Sequence, residues 1–200
     1  MTTSVRPPRA DAARNREALL AAAEAEFAER GIAASVADIA RRAGVVKGTV
    51  FRHFATKEDL IAAIVIGHIA TLSDEARKLL GASDPEAALR EFLTVAADQR
   101  HQHNLTFLQT ASAGNTAVLA ARDELIGYIG QLVDAARAAG AIRADVTAID
   151  VFLMMCAPIH IMENSSDPSP SLWQRYLGIL FDGLRPEGAS PLTQPAPSKP

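Results

Sequence analysis

Four polar side chains within a short stretch could recognise a nucleic acid. They are Lys47, Thr49, Arg52 and His53. Val50 and Phe54, spaced four residues apart, can face inward from one helix, which leaves the four polar side chains pointing outward. An α-helix fits the major groove of DNA, where cations meet phosphate and Lys, Thr and His reach base edges. This spacing predicts a DNA-binding helix over residues 47–54.

The residues before this helix have the order expected of a helix-turn-helix. Ser35 and Asp38 stand at the spacing of a capping box, which satisfies free backbone donors at a helix N-terminus. Val36 and Ile39 follow at helical spacing, and Gly44 stands where a left-handed residue ends the helix. The same pattern also occurs in a solvated helical hairpin of an all-α protein, and on the pattern alone both interpretations stay open.

The charge of the chain is distributed unevenly. The whole chain carries a net charge of −3, which by itself argues against a nucleic-acid binder. Residues 1–60 nevertheless hold ten basic against eight acidic residues, and residues 61–200 hold ten against fifteen. Between Ser35 and Lys57, five basic residues stand against Asp38 alone. A basic head on an acidic body suits a protein that binds DNA at one end.

The sequence from Gly44 to Leu60, GVVKGTVFRHFATKEDL, resembles the DNA-binding signature of the TetR family of bacterial transcriptional regulators. That signature reads G-V-S-x-G-T-L-Y-x-H-F, followed by a short turn and Lys-Glu-x-Leu. The close resemblance covers residues 9–66, and beyond them only the layout of the helices is similar. The family usually has Ser where Val46 stands and Tyr where Phe51 stands. The resemblance therefore implies a recognition helix without its usual side-chain cap and without the tyrosine–phosphate hydrogen bond.

The resemblance also implies which residues contact DNA. Lys57, in the first turn of the following helix, is similar to a phosphate contact of the family, and a helix N-terminus itself favours phosphate. Together with the outward side chains, the predicted DNA-contacting residues are Ser35, Val36, Lys47, Gly48, Thr49, Phe51, Arg52, His53 and Lys57.

Composition favours a fold made of helices alone. The chain of 200 residues is 48% apolar, with few aromatic residues and much Ala. Capping residues and Gly stops predict nine helices, at 11–30, 36–43, 47–54, 57–80, 85–100, 104–113, 116–139, 148–163 and 170–185.

The expected fold class is all-α. An N-terminal three-helix helix-turn-helix DNA-binding domain is followed by a C-terminal helical dimerisation and ligand-binding domain. The expected boundaries are a flexible arm at 1–10, the DNA-binding domain at 11–56, the body at 57–185 and a disordered tail at 186–200.

The last two predicted helices are apolar on most of their faces, so each must be buried in the core or against a partner. In the TetR family these helices pair with their copies in a second chain, and the resemblance implies a homodimer that reads a two-fold operator. The residues predicted at that interface are Phe152, Ile159, Tyr176, Leu180 and Leu184.

A proline in the penultimate predicted helix, Pro158, removes one backbone hydrogen bond and predicts a bend near Met154. One interpretation is a harmless bend, and the other is a bend that opens a cavity. Met and aromatic side chains adapt to varied apolar ligands, while a few polar groups orient them. The candidate ligand-binding residues are Phe107, Gln109, Met154, Met155, His160 and Trp173, with an ordinary core position as the alternative for each.

Catalytic chemistry finds little support in the sequence. Cys156 and His160 stand four residues apart, as a nucleophile pair could, but no third orienting group has a clear spacing. No phosphate-binding, dinucleotide-binding or zinc-protease motif appears, so no enzyme activity, cofactor or metal is expected. A single Cys fits a reducing cytoplasm, and neither a secretory signal nor a membrane span is expected.

The function expected from these features is that of a TetR-like homodimeric repressor. It would bind a palindromic operator in double-stranded DNA and be released by a small, largely apolar effector. Three alternatives stay open: an effector-independent DNA-binding dimer, an activator, and a helical enzyme that retains the head as packing. The outward residues of 47–53 favour the DNA-binding alternatives over the enzyme.

Overall fold

The computed structural model describes residues 8–102, 106–155, 157–158, 169 and 171–198 of the chain. These residues form helices and connecting turns with no strand among them, which confirms the all-α class. The helices are α1 (Pro8–Arg30), a 3-10 helix (Gly31–Ala33), α2 (Val36–Arg42), α3 (Lys47–His53), α4 (Lys57–Leu79), α5 (Pro85–Gln102), α6 (Thr106–Ala111), α7 (Thr116–Ala138), α8 (Ala148–Met154) and α9 (Leu172–Asp182). Within the described ranges, a helix of the length and apolar character needed to cross a membrane is not found.

The first helix begins earlier than the sequence predicts. It starts at Pro8 rather than at residue 11. Proline is well tolerated at the start of a helix, because the N–H that it lacks would have no partner there. Residues 8–10, predicted as part of a flexible arm, are therefore helical, while residues 1–7 lie outside the described residues.

The penultimate predicted helix is interrupted in the structure. Its first segment, α8, ends at Met154, and Met155 lies in a turn, so the predicted continuous helix to residue 163 is wrong. Pro158 has no N–H to donate to the Met154 carbonyl, so the helical hydrogen bonds are interrupted there, and the described residues 157 and 158 are again helical. The predicted bend near Met154 thus corresponds to the end of α8. Residues 156 and 159–168 lie outside the described residues.

Two capping boxes, at Thr56 and Thr147, are present. Thr56 N–H donates to the Asp59 carboxylate at 3.0 Å, and Asp59 N–H donates to the Thr56 hydroxyl at 3.0 Å. Thr147 N–H donates to the Asp150 carboxylate at 2.8 Å, and Asp150 N–H donates back to the Thr147 hydroxyl at 3.3 Å. Each reciprocal pair satisfies two backbone donors, and this fixes where α4 and α8 begin.

The contacts within the chain divide it into two compact units. The first unit comprises the described residues up to 67 together with 106–119, and the second comprises 68–102 with the described residues from 120 onward. The contacts thus group α6 and residues 57–67 of α4 with the helix-turn-helix, whereas the sequence predicts a functional boundary at residue 57. That functional division stays a prediction.

The first unit has its own apolar core. Leu19, Ala23 and Phe27 recur every four residues along α1, and all three are buried. Burial of each large apolar side chain stabilises the fold by about 1.5–3 kcal/mol, so this core determines which face of each short helix points inward. The rest of the unit contributes Ile39, Val50, Phe54, Leu60 and Leu108 to the buried set.

The second unit is built around a larger apolar cluster, to which α5, α7, α8 and α9 contribute. It includes Phe92, Ile129, Val151 and Phe181. The described residues 186–198 form no regular element. Two of them contact the loop after α7: Arg143 donates to the Ser190 carbonyl, and Leu192 N–H donates to the Asp145 carboxylate at 3.4 Å. The disorder expected of the tail stays a prediction.

Candidate nucleic-acid interface

The cap of α2 uses the two residues that the sequence singles out, with a small difference in geometry. Asp38 N–H donates to the Ser35 hydroxyl at 3.2 Å, which confirms Ser35 as the N-cap. The Asp38 carboxylate makes the second contact of the pair and accepts a hydrogen bond from the Ser35 hydroxyl at 2.6 Å. This hydrogen bond, followed by the one from Arg41, lowers the pKa of the Asp38 carboxyl to about 2.

A network of ion pairs joins α1 to α2. The carboxylate of Glu26, only 3% exposed as a residue, lies 3.0 Å from Arg42 Nε and 3.3 Å from Arg30 Nε. Arg42 also donates to Glu29 at 2.6 Å, and this hydrogen bond raises the pKa of Arg42 and lowers the pKa of Glu29. A buried carboxylate needs such partners, because an unpaired charge away from water is costly.

This network changes the charge count of the helix-turn-helix. Arg41 lies 2.6 Å from the Asp38 carboxylate, and Arg42 is held by two glutamates of α1, so neither arginine is a freely available cation. Among the described residues, Lys47 and Arg52 have no carboxylate within ion-pair distance. Within the described residues of α2 and α3, the positive charge without an acidic partner therefore lies on α3.

Gly44 shapes the turn between α2 and α3. Its φ of +68° is in the left-handed region, where a Cβ atom is strained. The N–H of Val45 donates to the Ala40 carbonyl at 2.9 Å and closes the end of α2. The predicted turn is confirmed, and it sets the direction in which α3 leaves α2.

The third helix has one buried face and one open face. Val50 and Phe54 are buried, as their spacing predicts. Lys47, Phe51 and Arg52 are exposed, and Thr49 and His53 are half-buried. The N-cap, Val46, provides no side-chain hydrogen bond, as the departure from the family signature implies.

On the open face, Lys47 lies against Phe51. The Lys47 ammonium is 5.6 Å from the centroid of the Phe51 ring, within the range of a cation–π contact. Phe51 itself is 43% exposed. The ring cannot donate a hydrogen bond to phosphate as tyrosine would, but it provides a surface that orients the Lys47 ammonium.

A further cation, Arg16, lies near this surface and was not predicted from the sequence. The guanidinium of Arg16 in α1 lies 5.2 Å from the centroid of the Phe54 ring, and Phe54 follows the last residue of α3. Arg16 is exposed. Because the two residues are far apart in sequence, no local spacing could have paired them, and only the packing of α1 against the other helices brings them together.

Lys57 has partners inside its own unit. Its ammonium donates to the Ile32 carbonyl and lies 5.6 Å from the centroid of the Phe27 ring. The residue is half-buried at the start of α4. These contacts tie α4 to the junction of α1 and α2, and the predicted phosphate contact of Lys57 has to compete with them.

The other predicted DNA-contacting residues have varied exposure. Ser35 and Gly48 are exposed at the first turns of α2 and α3, and Val36 is half-buried. The whole set lies in the first unit. Its contact with DNA stays a prediction.

The structure does not bring all the candidate ligand-binding residues together in one unit. Met155 and Trp173 are buried in the cluster of the second unit, and Met154 packs against that cluster. Gln109 is half-buried and belongs to the first unit. The Phe107 side chain and His160 lie outside the described residues.

A cavity of about 250 Å³ lies beside Trp173 in the second unit. The guanidinium of Arg90 stacks 3.9 Å from the centroid of the Phe181 ring at this cavity. The polar residues of this cavity could not be predicted from the sequence, because α5 carries no motif that distinguishes them from other surface positions. The lining residues are Arg90, Thr94, Trp173, Gln174, Leu177, Gly178 and Phe181.

The polar pair of His68 and Gln99 was also missed. The Gln99 amide nitrogen lies 2.9 Å from His68 Nδ1 and donates to the His68 carbonyl at 3.2 Å. The amide oxygen of Gln99 is buried and has no donor among the described residues. This oxygen could accept a hydrogen bond from a small polar molecule.

The residues predicted at a dimer interface differ in exposure. Leu184 is 3% exposed within its own chain, so it has little surface to offer a second one. Phe152, Tyr176 and Leu180 are half-buried, and Ile159 lies outside the described residues. Two apolar residues that the sequence analysis did not select, Leu153 and Ile179, are 43% and 54% exposed.

The first unit therefore contains a helix-turn-helix whose second helix has one buried apolar face and one exposed basic face. This arrangement is typical of the helix-turn-helix class of DNA-binding regulators. Residues 19–64 match the family described as bacterial regulatory proteins, tetR family, and residues 84–186 match the C-terminal domain of SbtR-like transcriptional regulators. The chain belongs to the TetR family of bacterial transcriptional regulators.

Similarity to individual proteins supports the same assignment. The HTH-type transcriptional repressor Rv3405c of Mycobacterium tuberculosis is 54% identical over 55 residues, which are 27% of this chain and 29% of that protein. The chain thus spans under a third of that relative's length. The HTH-type transcriptional repressor KstR2 of Rhodococcus jostii is 26% identical over 195 residues, covering 84% of this chain and 90% of that protein.

A solved structure covers nearly the whole fold. The TetR transcription regulatory protein from Mycobacterium vanbaalenii is 34% identical, with a TM-score of 0.64, and the match covers 90% of this chain and 99% of that one. The relatives are transcriptional regulators rather than enzymes, and several are named as repressors, which supports a repressor role for this chain in general terms.

Proposed function

We propose that this protein is a homodimeric repressor that binds a palindromic operator through α3 and is released by a small, largely apolar effector. The observation that carries the proposal is the open face of α3, where Lys47 and Arg52 have no acidic partner among the described residues. Val50 and Phe54 anchor the opposite face in the core, so the cations are presented by a helix of fixed orientation.

The roles of the residues on α3 follow from their chemistry. Arg52, exposed and cationic, is placed to neutralise phosphate, which supplies affinity without sequence preference. Lys47 and Thr49 stand toward the N-terminal end of the helix, the end that contacts base edges in helix-turn-helix proteins. Ser35, Val36, Gly48, Phe51 and His53 complete the proposed contact surface.

The apolar surface that α8 and α9 leave exposed supports the proposed dimer. Trp173, Leu177 and Phe181 form the inner face of α9, while Ile179 is 54% exposed. Burial of such residues against a second copy is favourable, and a two-fold protein matches a two-fold operator. The interface proposed on these helices contains Phe152, Leu153, Ile159, Tyr176, Ile179 and Leu180.

The effector would occupy the cavity beside Trp173. A volume of about 250 Å³ accommodates only a small molecule. Leu177 and Phe181 make part of the wall apolar, and Arg90 would orient a weakly acidic or hydrogen-bonding group. Binding of the effector and of the operator must weaken each other reciprocally, typically by 5–150-fold.

Selection from a randomised duplex library tests the proposal. We expect enrichment of an inverted repeat whose half-sites are centred about 10 base pairs apart, or a multiple of that spacing. Sedimentation of the complex should then give two chains for each duplex. An enriched sequence without symmetry that binds a single chain would refute the palindrome and the dimer together.

A further inference from the structure

An exposed apolar side chain, Val46, stands beside the proposed contact surface and is not among its residues. Val46 is 74% exposed, the highest value among the large apolar residues described as exposed. It is the N-cap of α3, and its side chain makes no capping hydrogen bond. Burial of an exposed apolar side chain against a partner lowers the free energy, because it removes apolar surface from water. The position of Val46 therefore suggests a partner that is itself apolar.

The chemistry of the major groove narrows the choice of partner. The N-terminal residues of a recognition helix contact base edges, and Val46 stands directly before Lys47 at that end. A valine side chain can form no hydrogen bond with a phosphate or a base. The apolar group that base pairs present in the major groove is the C5 methyl group of thymine.

We infer that Val46 reads a thymine methyl group in each half-site of the operator. The inference rests on the proposed function and adds a sequence preference that no hydrogen bond supplies. Burial of one methyl group contributes about 0.8 kcal/mol, which corresponds to about a fourfold change in affinity for each half-site. Lys47 and Thr49, which can form hydrogen bonds, would read neighbouring bases.

Replacement of thymine by deoxyuridine isolates this contact, because it removes the methyl group and leaves base pairing intact. The duplex is first selected by the wild-type protein from a randomised library. Each symmetry-related pair of thymines is then replaced in turn. We expect one pair whose replacement weakens wild-type binding by about fourfold for each half-site. Val46→Ala, whose shorter side chain keeps less of the contact, should show a much smaller difference in affinity between the thymine and deoxyuridine duplexes.

Two features make the comparison specific. Alanine caps a helix as poorly as valine does, so Val46→Ala leaves the start of α3 unchanged in capping strength. Leu192→Ala serves as the matched control, because it removes another exposed apolar side chain, 55% exposed, from the second unit. That variant should keep the full thymine preference of the wild type.

The outcomes separate this inference from the proposed function. If the wild-type protein selects an inverted repeat but Val46→Ala shows the same thymine preference at every position, the role of Val46 is wrong and the repressor proposal stands. If no sequence is enriched at all, specific operator binding fails, and the inference fails with it. A strongly reduced preference in Val46→Ala alone supports the thymine contact.

Discussion

At the scale of single residues, Lys57 and Asp38 show how the charges of the first unit are used internally. Lys57 resembles a phosphate contact of the family, yet its ammonium donates to the Ile32 carbonyl and lies near the Phe27 ring. Asp38 is bound by the Ser35 hydroxyl and by Arg41. Both residues therefore stabilise the helix-turn-helix itself.

Replacement of Lys57 distinguishes an internal role from a phosphate contact. Lys57→Met keeps the apolar stem over Phe27 and removes the ammonium. We expect the free energy of unfolding to fall by about 1 kcal/mol, since a hydrogen bond to a charged group is lost at a half-buried site. The salt dependence of DNA binding should stay the same. If Lys57→Met instead keeps its stability, and its plot of log binding constant against log salt concentration loses about 0.9 in slope for each chain bound, Lys57 contacts phosphate and not Ile32 in the complex.

Asp38 predicts a pH dependence with a definite sign. Its pKa is lowered from 3.8 to about 2 in the folded protein. The charged carboxylate therefore stabilises the fold above about pH 4, and this contribution is lost as the pH falls toward 2. We expect the stability difference between the wild type and Asp38→Asn to shrink over that interval.

Urea denaturation at a series of pH values measures that difference. Ser35→Ala provides the matched comparison, because it removes the first cause of the shift and should bring the Asp38 pKa closer to 3.8 in a carboxyl NMR titration. A stability difference that stays constant from pH 4 to pH 2 would contradict the role assigned to the Asp38 carboxylate.

At the scale of secondary-structure elements, α9 shows what sequence periodicity can and cannot resolve. The sequence predicts an apolar helix there, and its inner face, Trp173, Leu177 and Phe181, continues to Leu184 just beyond the helix. With apolar residues on most of the helix, spacing alone could not separate core from interface. Leu184 was predicted at the interface and is buried, while Ile179 was not selected and is exposed.

A charge on the outer face of α9 tests the proposed interface. Ile179→Asp places a carboxylate where a second chain would bury an apolar side chain, and we expect monomers that retain their helical content. Analytical ultracentrifugation with circular dichroism measures both properties. Gln174→Asp, at an exposed polar position on a different face of the same helix, should leave the dimer intact. If Ile179→Asp stays dimeric, the interface lies elsewhere.

At the scale of the whole molecule, local signals predicted the helices well but did not predict which distant helices pack together. Caps such as Thr56 with Asp59, and the turn at Gly44, depend on residues a few positions apart, so the sequence contains them directly. The cavity beside Trp173 joins α5 to α9, and Arg16 reaches Phe54 from another helix. Such pairings arise only when helices distant in sequence pack together.

Filling the cavity tests whether it is the effector site. Gly178 lines the cavity, and a Cβ atom built there has no neighbour within 4 Å, so Gly178→Leu should fill it without a backbone clash. Molecules found in a thermal-shift screen should stabilise the wild type, by about 2.7 kcal/mol at a hundredfold excess over their dissociation constant. They should also lower operator affinity, and Gly178→Leu should abolish both effects.

A glycine outside the cavity provides the control for this variant. Gly127→Leu adds the same side chain at an exposed position of α7, again with no neighbour within 4 Å, and should respond to the molecules as the wild type does. If Gly178→Leu binds the molecules as tightly as the wild type, the site is elsewhere. If no molecule shifts the melting temperature, an effector-independent regulator becomes the better account.

The salt dependence of operator binding tests the central claim, that the open face of α3 binds DNA. We compare the wild type, Lys47→Ala/Arg52→Ala, and Lys78→Ala/Arg175→Ala, which removes the same charge from exposed positions of the second unit. The α3 variant should lose affinity, and its slope against salt should fall by about 0.9 for each phosphate contact removed, while the control matches the wild type. Equal affinity and slope in all three proteins would contradict the assignment of α3 as the DNA-binding element.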